Sequence, residues 1–148
     1  MLTETLILLF ERDLKKLQAE IELYRNEEMI WSTEKNISNS AGNLALHLTG
    51  NLNYYIGSVI GKTGYVRNRE LEFSLKNIPK NELINKIEDT INIVGNSLKK
   101  MTKEELEYDY PILIFSAKTS TEYFLVHLAT HLTYHLGQIN YHRRLLDE

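Results

Sequence analysis

Apolar residues recur at intervals of three and four along four long stretches of this chain, and little interrupts them. Only two prolines and seven glycines punctuate its 148 residues. That period lines side chains along one stripe of an α-helix, whereas a strand would alternate. Leu6, Phe10, Leu14, Leu17, Ile21 and Tyr24 predict a first helix over residues 3–25. Leu44, Leu48, Leu52, Tyr55 and Val59 predict a second over 40–60, with Gly57, Gly61 and Gly64 at its exit. A third follows Pro79 and carries Leu83, Ile87, Ile91, Val94, Leu98 and Met101. Thr102-Lys103-Glu104-Glu105 reads as a capping box opening a short extra turn. A second box, Thr119-Ser120-Thr121-Glu122, opens the last helix, which runs to about Leu146. Tyr108 to Phe115, interrupted by Pro111, reads as irregular or briefly extended.

Four amphipathic helices in a chain of this length predict an all-α fold, a four-helix bundle forming one domain over 1–148. No repeat, low-complexity tract or linker divides the chain. The connections, at about 14, 17 and 17 residues, exceed the usual span between bundle helices, so they can cross its end. Helix order is therefore open. Trp31, the only tryptophan, lies in the first connection and can cap either the core or a pocket mouth.

Composition removes several function classes. With 43% hydrophobic and 25% charged residues the chain is globular rather than disordered. A net charge of −3 gives it no electrostatic reason to seek nucleic acid. The absence of cysteine excludes thiolate nucleophiles and cysteine-ligated metals, and leaves histidine sites open. No apolar run approaches the ~18 residues of a membrane span. The run from Leu6 to Phe10 lacks a basic start and ends at Glu11, Arg12 and Asp13, unlike a signal peptide. The expected location is cytoplasmic, without membrane or nucleic-acid partners.

Histidines carry the chemistry. His127, His131, His135 and His142 fall in the last helix within ~80° of one another, offset by ~100° from the stripe Leu125, Leu128, Leu132, Leu136 and Ile139. His47 has the same offset on the second helix, beside Asn43, Asn51, Tyr54 and Ser58. If these flanks meet, they enclose a polar cleft. Histidines four apart on a helix sit ~6 Å apart and reach one ion. Both His127/His131 and His131/His135 satisfy that spacing, and His47 would complete a three-nitrogen site. Three imidazoles suit a divalent transition metal, zinc or nickel first, with copper and iron also compatible. A divalent ion so held lowers the pKa of water toward ~7 or polarises a substrate heteroatom. The same spacing also fits histidines that are merely hydrogen-bonded on an amphipathic helix.

Neighbouring positions have their own readings. Gln138 can orient a ligand histidine through its amide. Asn51 and Tyr54 can line the pocket. Gly137 reads as tight helix packing, and Tyr134 as packing. His142 lies some 10 Å beyond His135, too far to share an ion, and reads as near solvent with Arg143 and Arg144 at the helix end.

Two segments carry a resemblance. His131-Leu132-Thr133-Tyr134-His135-Leu136-Gly137-Gln138-Ile139 resembles the HxxxHxGQI signature in the last helix of the DinB/YfiT-like superfamily. Leu44-Ala45-Leu46-His47-Leu48-Thr49-Gly50-Asn51 resembles that superfamily's second-helix segment with its lone histidine. Leu136 departs from many relatives, which carry arginine or another polar residue there. The resemblance implies a four-helix bundle, often up-down-down-up, holding a divalent metal on His47, His131 and His135. His127 would then be a cavity-wall residue. It also implies metal-assisted chemistry of the bacillithiol-transferase kind, on a small-molecule substrate with a low-molecular-weight thiol as cosubstrate, and a homodimer. Three readings compete: a metal-dependent thiol S-transferase or hydrolase, a non-catalytic metal-binding, small-molecule-binding or dimerisation module, and a plain structural bundle with satisfied histidines.

Overall fold

The computed structural model describes all 148 residues and is all-helical. Six α-helices follow in order: α1 (Leu2–Leu23), α2 (Ala41–Leu52), α3 (Arg69–Ser74), α4 (Lys80–Lys99), α5 (Lys103–Glu107) and α6 (Thr121–Leu146). A 3-10 helix, Glu27–Trp31, lies between α1 and α2, and a π-helical turn, Asn53–Ser58, extends α2. No β-strand forms; the segment around Pro111 contributes one isolated bridge, Asp109 to Ser120.

Side-chain caps start the helices where the sequence supplies an acceptor. Ser40 accepts from the Asn43 N–H, Asn68 from Leu71 and Thr102 from Glu105. Thr102 and Glu105 complete their box reciprocally. At α6 the cap is Ser120, accepting from the Tyr123 N–H, one residue after the expected Thr119. Pro79 is likewise the cap of α4 rather than its first turn.

Polar contacts fix the direction of the four longer helices. Asp13 meets Thr133 and Glu20 meets Asn140, so α1 and α6 run parallel. Gln18 meets Glu88 while Glu11 and Lys99 share a depression, so α4 runs against α1. Asn53 reaches Thr90 and Gly61 meets Ser97, which makes α2 parallel to α4. Each of α1 and α2 packs against both α4 and α6. The expected apolar stripes face this interior: Leu14, Leu17, Ile21, Leu48, Leu52, Ile87, Leu98, Leu125 and Leu132 are all fully or almost fully buried.

α2 is the most enclosed element. All twelve of its residues are buried, including Asn43, His47 and Asn51 on the flank expected to be merely polar. Buried polar groups need partners, and α3 supplies them. Asn43 donates through Nδ2 to the carbonyls of Glu72 and Leu75, and so ties α3 across α2. Trp31 lies on the core side of its connection, its ring against Gly42, where an added Cβ would come within 2.6 Å of it.

Three positions on α6 depart from expectation. His142 is buried, because residues 24–32 fold back over the end of α6. The Tyr24 hydroxyl donates to its Nδ1 at 2.7 Å, and its Nε2 donates to the Ser32 carbonyl at 2.8 Å. Gly137 is not a close-packing point: an added Cβ would meet nothing within 4 Å. Tyr134 is exposed on the outer face of α6.

Candidate metal centre

α2 and α6 run antiparallel and bring their polar flanks together. His47 Nε2 lies 3.2 Å from His131 Nε2, and His135 Nε2 lies 3.1 Å from the same atom. The three ring nitrogens fall within 4.8 Å of one another, close enough for one metal ion to touch all three. His131 and His135 converge because they stand one turn apart on α6. Their rings are edge-on, 4.5 Å between centroids, so each turns an edge toward His47.

Tautomers follow from the outer hydrogen bonds. His47 Nδ1 is 3.0 Å from Glu72 Oε1, and an ionised carboxylate only accepts. His47 therefore carries its proton on Nδ1 and turns a bare Nε2 inward. His135 Nδ1 donates to Gln138 Oε1 at 2.7 Å, with the same consequence. Two lone pairs are thus aimed at His131. Its own Nδ1 is buried with no partner. Whichever nitrogen of His131 holds the proton, a polar atom in the cluster is left short. Three neutral imidazoles with converging Nε2 atoms form a donor set suited to a divalent transition metal, and a shared cation would relieve the lone-pair crowding.

The surroundings favour the neutral form of His131 and His135. Burial and the neighbouring His135, His47 and His127 push the His131 pKa down to about 4. Burial also lowers His135, against the hydrogen bond it donates to Gln138.

Glu72 and Arg67 were not expected from spacing. Burial pushes the Glu72 carboxyl up, but hydrogen bonds from His47 and Arg67 outweigh it and leave it below the ordinary range. Arg67 grips the carboxylate with two nitrogens, each at 2.9 Å. Gly50 makes room: a Cβ there would collide with Glu72 Oε2 and stand 2.7 Å from its Cδ. One signal was available. Asn68 followed by Glu70 and Glu72 is a helix-start pattern, which would have placed a helical turn, and so a carboxylate, in the second connection.

A cavity of about 290 Å³ opens beside the cluster. His47, His131, His127 and Asn51 line it. His127 is a wall residue stacked near Phe124, with centroids 5.9 Å apart, and is not part of the three-nitrogen group. Tyr55, not Tyr54, faces the cavity. A π turn advances each residue by less than the ~100° of an α-helix, which brings Tyr55 to the His47 side and leaves Tyr54 off it.

No helix of the protein is long and apolar enough to cross a membrane. A family model described as "Protein of unknown function (DUF1572)" matches residues 4–148. No curated protein matches the chain.

Proposed function

The chain belongs to the DUF1572 family, which is grouped in the DinB-like clan, and on that premise we propose a metal-dependent enzyme acting on a small molecule and a low-molecular-weight thiol. The observation that carries this reading is the convergence of His47, His131 and His135 on one point beside a cavity. In the same reading, the parallel α1 and α6 and the opposed α2 and α4 constitute a DinB-like four-helix bundle in up-down-down-up order.

His47, His131 and His135 would hold the ion. Bound there, a divalent metal supplies Lewis acidity, which polarises a substrate heteroatom and favours the thiolate over the thiol near neutral pH. Glu72 fixes the His47 tautomer and ring angle, and Gln138 does the same for His135. Arg67 keeps Glu72 anionic, so that it goes on accepting the His47 proton. Three protein ligands leave coordination positions free, the arrangement of reactive rather than structural sites. The cavity borders His47 and His131, and its Phe124 and Leu128 wall gives an apolar surface for the non-reacting part of a substrate.

The experiment is a transfer assay with low-molecular-weight thiols and electrophilic acceptors. It is run on the protein as purified, after chelation, and after metal is returned. Turnover that disappears with the metal, returns with it, and is lost in His135→Ala supports the enzyme. Bound metal without turnover across the panel refutes it and leaves a binding module.

A further inference from the structure

The cavity beside the histidines carries one uncompensated cation although the chain as a whole is acidic. Arg67 and Arg69 both line it, and no Asp or Glu does. Arg67 is committed to Glu72. Arg69 is not committed to anything: it makes no hydrogen bond or ion pair, and its guanidinium rests 5.7 Å over the ring of Phe73. That ring in turn lies 5.0 Å from His47. A free cation is therefore held on an aromatic support at the wall of the cavity that also exposes the histidine cluster.

A second observation points the same way. Asn51, buried on α2 one turn beyond His47, lines the same cavity, and its side-chain oxygen has no partner. A buried, unpaired acceptor is costly unless something donates to it. The cavity thus offers a free guanidinium for an anion, the Asn51 amide for a hydrogen bond, and the imidazoles of His47 and His131.

Resting on the metal reading above, we propose that the substrate or cosubstrate is a small organic acid. Its carboxylate pairs with Arg69, a hydrogen-bonding group on its body meets the Asn51 amide, and its sulfur or oxygen faces His47 and His131. Arg69 is a specificity-determining residue. It selects anionic over neutral and cationic thiols of the same length.

The test uses 3-mercaptopropionate, its neutral counterpart 3-mercapto-1-propanol and the cationic 2-aminoethanethiol, titrated calorimetrically into zinc-loaded protein. A partly exposed Arg–carboxylate pair predicts about fivefold tighter binding of the acid than of the alcohol. Arg69→Gln erases that gap with zinc per chain unchanged, and Arg69→Glu shifts the preference to the amine. Equal binding of acid and alcohol by the wild type, or a gap that survives in Arg69→Gln, overturns the proposal. Zinc per chain near zero refutes the metal reading by itself. The same comparison in metal-free protein, followed by ligand-observed NMR, then decides whether the anion subsite exists.

Discussion

Two histidine environments on α6, about three turns apart, show what separates a structural imidazole from one placed to bind. His142 has both ring nitrogens satisfied, by the Tyr24 hydroxyl and the Ser32 carbonyl, and it seals the end of the core. His131 has a buried Nδ1 with no partner and an Nε2 crowded by two others. Both are pushed below the ordinary histidine range by burial. Titration alone does not distinguish them; saturation of hydrogen bonds does. A complete set of partners spends the imidazole on stability, whereas an incomplete set leaves lone pairs for a ligand.

The sharpest way to break this comparison is to delete each ring. His142→Ala opens a cavity and strands the Tyr24 hydroxyl and the Ser32 carbonyl, for a loss of about 3 kcal/mol in urea unfolding. In metal-free protein, His131→Ala removes an unsatisfied group along with its packing and stays within about 1 kcal/mol of wild type. Equal losses would dissolve the distinction. Next in size is the outer support of the cluster. Glu72→Gln lowers zinc affinity about 10- to 100-fold in competition with a chromophoric chelator. Gly50→Ala does the same by displacing Glu72, whereas the Tyr24→Phe change at the other site leaves zinc affinity untouched. Acid provides a third test. Metal-free folded protein holds His131 and His142 neutral, while the unfolded chain protonates both near 6.5. The unfolded state therefore binds more protons below that pH, and the melting temperature falls as pH drops from about 6.5 toward 4. A flat profile over that window would contradict the burial of both rings. The smallest effect lies between the two sites. Gly137→Ala, a helix-interior position with open space around it, stabilises by about 0.5–1 kcal/mol without altering metal content.

The helices and the histidine cluster were readable for different reasons. Stripes such as Leu6, Phe10, Leu14 and Leu17 repeat at the helical period, so burial of one face is written into adjacent residues. His131 and His135 share a turn, and His47 entered through its flank position on another helix. What spacing could not show was contact between distant segments. Glu72 reaches His47 from a six-residue helix too short to display a period. His142 depends on Tyr24 and Ser32, which come from the other end of the chain. Tyr55 replaced Tyr54 at the cavity because a π turn shifts the register after α2 without an obvious sequence mark. Local periodicity specified the elements, and long-range hydrogen bonds specified what each polar side chain does within them.

Metal content tests the three-histidine centre most directly. Untagged protein, purified without chelator and measured by elemental analysis, should carry about one divalent transition-metal ion per chain, and His131→Ala should carry none while remaining folded. A wild type that takes up no ion even when zinc or nickel is supplied, or a His131→Ala variant that keeps its ion, would contradict such a centre.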